Sequence, residues 1–280
     1  MSDVSGATAP PQVTLFVDAH VHLHPLFDLA GFVTSAARNV ATAARSLGVA
    51  EEDAIGVLLL SEGANEAAFA RLGSAADLGA PAWTVDATRE PESLRVREGG
   101  RLRMIVVAGR QIVTREGVEV LSLLCGENVA DGMALDDTID AVRLGDGIPV
   151  LPWGFGKWTM RRGALVAAVL RSRPRDVFLG DNGGRLGAAP EPRLFAEARA
   201  RGVWVLPGSD PLPFRSEQSR AGAFGFLADL RLDAERPAEA LRGWLRTLRE
   251  QPPRYGTLET LGRFCRNQAR MQWRKRTARG

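Results

Sequence analysis

Short apolar runs alternate with helix-patterned stretches along most of this chain, and that rhythm narrows the fold more than any other feature. The runs are Val13–Leu23, Ala54–Leu60, Ala82–Val85, Leu102–Val107, Val118–Leu124, Ile148–Leu151, Asp176–Leu179 and Val203–Leu206. Their lengths and β-branched content read as strands. Between many of them apolar residues recur at helical spacing, over Leu26–Leu47, Asn65–Leu72, Leu135–Leu144, Arg161–Arg171 and Arg193–Ala200, with two further helices after Pro237. Such alternation predicts parallel strands joined by helical crossovers. Arg115-Glu116-Gly117 is too short for a crossover and predicts one inserted hairpin.

With 280 residues and 45% hydrophobic content, the chain can bury one full core. The organisation expected is a flexible leader at 1–12, rich in Ser, Gly, Ala and Pro, a main unit at 13–235, and C-terminal helices with a basic tail at 236–280. Cys125 and Cys265 lack a metal-type spacing and no apolar signal region opens the chain, so a reducing cytoplasm is the expected setting. No segment is long and apolar enough to span a membrane. The formal charge is only +3, with much of the basic excess in Arg263, Arg266, Arg270, Arg274, Lys275, Arg276 and Arg279. That tail suits nucleic acid or another polyanion, but a solvated, partly helical C-terminus accounts for it equally well.

All three histidines fall in Asp18-Ala19-His20-Val21-His22-Leu23-His24. Alternate residues of a strand share a face, so Asp18, His20 and His22 are expected to point the same way. Imidazole is the commonest protein metal ligand, and neighbours two apart can chelate one ion without bending the backbone. A metal site is the leading reading; hydrogen-bonded, partly buried histidines are the alternative.

Other apolar runs also end in chemistry. Glu62 follows Leu60, Arg110 and Gln111 follow Val107, Lys157 follows Leu151, Asp181, Asn182 and Arg185 follow Leu179, and Asp210 follows Leu206. In barrels of parallel strands the site forms at the carboxyl ends, so these residues are expected around one mouth. Lys157, set among glycines and tryptophans in Trp153-Gly154-Phe155-Gly156-Lys157-Trp158, could contact an anionic group or serve as acid or base if burial lowers its pKa. Asp181 could add a carboxylate ligand, Asn182 and Arg185 could bind substrate, and Arg110, with Arg161 and Arg162, would make the mouth suit an anion.

Asp18-Ala19-His20-Val21-His22 resembles the opening signature of the polymerase-and-histidinol-phosphatase (PHP) family, which it shares with the metal-dependent amidohydrolases. Gly208-Ser209-Asp210 resembles the closing PHP signature, whose aspartate binds metal. Gly109-Arg110-Gln111-Ile112-Val113-Thr114, followed by Gly117-Val118-Glu119-Val120, looks like the segment that carries a bridging glutamate before a hairpin. The resemblance spans about Val13 to Phe214 and implies an α/β fold, a distorted TIM-like (β/α)7 barrel of parallel strands with one inserted hairpin and extra C-terminal helices. Departures from the pattern are plain: Leu60-Ser61-Glu62-Gly63 stands where Thr-Asp-His is usual, Gln111 replaces the bridging glutamate, Pro152-Trp153 replaces a histidine before a proline, and Pro211 replaces the final histidine.

Two functions follow. In the first, His20, His22 and Asp210, joined by Glu62 or Asp181, hold one divalent ion, Zn, Mn or Fe, and the chain is a phosphoesterase or amidohydrolase acting on a small anionic molecule through activated water, with Asp210 and Lys157 as catalytic groups and Arg110, Asn182 and Arg185 binding substrate. In the second, a metal-poor barrel serves as a binding or partner-recruiting module. Homo-oligomerisation is compatible with either.

Overall fold

The elements of this computed structural model, which describes residues 10–75, 78 and 83–277 except for the side chain of Lys275, begin with the long strand β1 (Gln12–Val21). It is followed by β2 (Ile55–Leu60), β3 (Trp83–Ala87), β4 (Ser93–Glu98), β5 (Arg101–Val107), β6 (Gly109–Val113), β7 (Glu119–Leu123), β8 (Ile148–Pro152), β9 (Phe178–Asn182), β10 (Val205–Gly208), β11 (Phe224–Arg231) and β12 (Arg254–Gly256). The helices are α1 (Leu29–Ser46), α2 (Ala68–Gly73), α3 (Leu135–Leu144), α4 (Met160–Ser172), α5 (Arg193–Arg199), α6 (Pro237–Thr247) and α7 (Leu261–Thr277).

These strands do not close into the (β/α)7 barrel of parallel strands. They form two mixed sheets, one of seven strands in the order β12-β11-β1-β2-β5-β4-β3 and one of five in the order β10-β9-β8-β7-β6. Among the named strands, parallel pairing is confined to β1-β2-β5 and β8-β9-β10. Connection length accounts for the antiparallel pairs β3-β4, β4-β5 and β6-β7, because parallel neighbours need a long crossover whereas these strands are joined by short turns. Gly99 and Gly100, both at positive φ, join β4 to β5, and Gly117, also at positive φ, lies in the turn from β6 to β7. Four strands were not among the apolar runs: β4, whose arginines interrupt it, β6, the short β12, and β11, which returns antiparallel along β1 in the register Val13–Leu230 to Val17–Phe226. Of the expected strand Ala82–Val85, Ala82 lies outside the described residues, as does the leader over 1–9.

Both sheets are apolar on both faces, which is why so many strands read as continuous hydrophobic runs. Val17, Leu59, Val107, Leu123, Val150, Leu206 and Phe226 fill the space between the sheets, where Leu241 and Leu245 of α6 join them. On the outer face of the larger sheet, Phe32, Val33 and Ala36 of α1 pack on Leu58 and Leu60. Outside the smaller sheet, Ile139, Val169 and Phe195 from α3, α4 and α5 pack on Leu151 and Leu179. No helix among the described residues is long and apolar enough to cross a membrane.

The two sheets touch along two seams. At one, the Asp210 amide donates to the His20 carbonyl at 2.8 Å. At the other, a bridge joins Glu62 and Arg110, with the Glu62 amide donating to Gly109 and the Gln111 amide donating to Glu62. The ends of β1, β2, β6 and β10 are thereby drawn to one end of the core.

Candidate metal centre

Glycine 208 sets the approach of β10 to β1. A Cβ at this position would lie 2.4 Å from the His20 nitrogen, so only glycine lets the two backbones meet here. The chain then turns through Ser209 into Asp210, which adopts a left-handed backbone with φ of +45°. Asp is among the few residues that tolerate that region. The turn is fixed from the β1 side, because the buried Asp18 carboxylate accepts from the Ser209 amide at 2.8 Å, from the Ser209 hydroxyl and from the Gly222 amide at 2.8 Å. Burial raises the Asp18 pKa to about 7, against the lowering effect of these hydrogen bonds.

Three ligand-type atoms converge as a result. His20 Nε2 and His22 Nε2 stand 3.2 Å apart, and Asp210 Oδ1 lies 3.7 Å from the first and 3.5 Å from the second. Around a tetrahedral ion with bonds of about 2.0–2.1 Å, ligand atoms stand about 3.3 Å apart. The three separations therefore fit one divalent ion, and the donor chemistry of two imidazoles and a carboxylate suits Zn, Mn or Fe. Burial lowers the His20 pKa to about 4 and that of His22 in the same direction, leaving both imidazoles neutral, the form that binds metal. For Asp210 burial alone would raise the pKa, but His20, His22, Lys157 and the hydrogen bond from Asn182 outweigh it and hold the acid at about 2.

The cluster opens into a cleft of about 610 Å³ lined by Gln111, Lys157, Glu66, His24 and, from α7, Gln268 and Gln272, among others. Lys157 Nζ donates to Glu119 on β7. Burial would lower its pKa, but Glu119 and Asp210 prevail and raise it, which favours the charged ammonium. Asn182 donates through Nδ2 to Asp210 Oδ2 while its Oδ1 accepts from the Gly184 amide at 2.6 Å, so both ends of its amide are engaged. Beside the cluster, His24 Nε2 bonds the Pro211 carbonyl at 3.0 Å and Nδ1 lies 3.6 Å from Glu66, whose pKa falls to about 2, chiefly through the nearby His24.

Other residues singled out from the sequence lie elsewhere. Asp181 and Arg185 pair with each other, Nε to Oδ1 and a terminal nitrogen to Oδ2, both at 2.9 Å and both buried. Glu62 accepts from the Phe69 amide and, with Arg110, lines a separate cleft of about 500 Å³ that also holds Cys125 and Arg242. Burial is the main influence raising the Glu62 pKa. Asp18 shares the strand with His20 but spends its carboxylate on the seam, and the register of β1 against β2 shifts between Asp18 and Val21. Sequence reading missed Glu66, Gln268 and Gln272, and gave Glu119 no partner. An acid isolated in the apolar strand β7 and a lysine just beyond β8, its antiparallel neighbour, are the signal that could have joined Glu119 to Lys157.

No protein-family model matches the chain, and no curated protein matches it in sequence. Among solved structures, PsfC from Pseudomonas syringae PB-5123 is similar with a TM-score of 0.50 and 13% identity, over 93% of this chain and 98% of PsfC. The lesion-specific endonuclease PfuEndoQ from Pyrococcus furiosus gives a TM-score of 0.47 and 12% identity over 86% of this chain, which spans 58% of the endonuclease. At such identity the likeness to PsfC is one of fold. The resemblance to the PHP family rests on the three segments that carry it.

Proposed function

We propose that this protein is a metal-dependent hydrolase that holds one divalent ion through His20, His22 and Asp210 and acts on a small anionic substrate in the adjoining cleft. The observation that carries this reading is the convergence of two imidazole nitrogens and one carboxylate oxygen at 3.2–3.7 Å beside open space. Three protein ligands with a free position are the arrangement of catalytic, as opposed to structural, zinc. A bound ion supplies a water whose pKa is lowered far enough for attack near neutral pH.

The chain's own groups orient the rest. Asn182 holds Asp210 Oδ2 and so leaves Oδ1 directed at the two imidazoles. Lys157, anchored by Glu119, places a positive charge on the cleft wall, where it receives an anionic group of the substrate or an oxyanion developing in the reaction.

Elemental analysis of protein purified without chelator or affinity metal should find one divalent ion per chain. Metal-loaded protein should hydrolyse a member of a panel of phosphoesters, cyclic amides and lactones, and Asp210→Asn should abolish that activity. Protein that takes up neither Zn, Mn nor Fe would overturn the reading and leave a metal-free binding module in its place.

A further inference from the structure

The cleft is poor in the cations that an anion-binding mouth would need. Arg185 is buried against Asp181, Arg110 lines the other cleft, and an Arg162 terminal nitrogen donates to the Gly156 carbonyl. Among the described residues lining the cleft, Lys157 is the one lysine or arginine, facing Glu66 and Asp210 of opposite sign. A substrate with several anionic groups would meet those carboxylates.

Carboxamides supply the wall instead. Gln111 Oε1 is buried with no donor among the described residues, although Gln111 lines the cleft. Gln268 and Gln272 face the same space from α7. That helix is fixed where it lies: Arg263 and Asn267 reach Glu217 at 3.2 and 3.5 Å, Arg270 reaches Ser216 at 2.9 Å and lies 3.9 Å from the centre of the Phe214 ring, and Arg274 bonds the Pro213 carbonyl at 3.1 Å. The helix that carries Gln268 and Gln272 is therefore in place before any ligand arrives, and the buried Gln111 acceptor is costly while it lacks a donor.

We infer that Gln111, with Gln268 and Gln272, selects a substrate by a neutral N–H or O–H group, while Lys157 receives its single anionic group. This rests on the cleft being the substrate site of the proposed hydrolase. A site built to bond an N–H rejects the isostere that lacks it, because its own polar atom is then stranded.

A matched pair of probes tests this: 5-oxoproline, with one carboxylate and one ring N–H, and the lactone 5-oxotetrahydrofuran-2-carboxylate, which replaces that N–H by oxygen. Calorimetry on the full chain, both metal-free and metal-loaded, should show the lactam binding about tenfold more tightly, the effect of one buried hydrogen bond. Gln111→Leu should erase the preference at unchanged metal content, and the double change Gln268→Leu, Gln272→Leu, on a surface helix that tolerates substitution, should reduce it. Lys157→Met should weaken both probes alike. Absence of lactam binding, equal affinity for the two probes in the wild type, an undiminished preference in both sets of glutamine variants, or tighter binding of inorganic pyrophosphate to the metal-free protein would each overturn the inference. A Gln111-dependent preference in a chain that takes up no metal would sink the hydrolase reading while sustaining the recognition by amides.

Discussion

Asp18, buried, and Asp210, partly buried, are acids on opposite sides of one seam, yet they are used in contrary ways. The Asp18 carboxylate is met by protein donors on both oxygens, namely three backbone amides and a hydroxyl. Asp210 is held by Asn182 at one oxygen, and its other oxygen faces two imidazole nitrogens that offer no obligatory donor. The same contrast separates the Asp181–Arg185 pair, closed on itself, from Gln111, whose buried oxygen has no donor. A polar group saturated by its own chain is spent on architecture; one left short is available to a ligand.

Four variants probe that division, in descending order of their expected effect on folding. Asp181→Ala leaves Arg185 buried without its partner and should cost about 3–5 kcal/mol in denaturant unfolding. Metal uptake by the molecules that remain folded should persist. Asp18→Ala strands the Ser209 and Gly222 donors and should cost about 2–4 kcal/mol, and because the Ser209–Asp210 turn is released, metal affinity should fall with it. If Asp18→Ala lowers stability but leaves metal affinity intact, the seam does not position the site. His20→Ala with His22→Ala should cost only about 2 kcal/mol, the ordinary effect of two substitutions, while abolishing bound metal by elemental analysis. Lys157→Met removes a partly exposed ion pair and should move stability by less than about 1 kcal/mol. Its effect should appear as several-fold weaker binding of inorganic phosphate in a calorimetric titration, with the metal retained.

The chemistry at the two termini of the motif set was more legible than the architecture between them. His20 and His22 are neighbours on one strand end, and Gly208-Ser209-Asp210 announces a glycine-permitted turn, so both segments could be read locally. Sheet closure depended on partners that no local pattern names. β1 takes β11 as its second neighbour, and β11 gave no strand signal strong enough to predict that. Arg110 and Gln111 were both assigned to one mouth, but adjacent residues of a strand face opposite ways, and here Gln111 lines one cleft and Arg110 the other. The i, i+4 pair of Asp181 and Arg185 was visible in sequence as two useful side chains; that they would satisfy each other followed only from their shared burial. Apolar spacing in α7 likewise carried no sign that its glutamines would wall the cleft.

The placement of β1 also governs the order in which the molecule can be assembled. Residues 12–17 pair with residues 226–231, so during synthesis the apolar edge of β1 has no antiparallel neighbour until most of the chain has emerged. An open apolar strand edge is a template for pairing with other chains. Slower translation lengthens that exposure, and chaperone dependence of the newly made protein should track the interval between the appearance of β1 and that of β11.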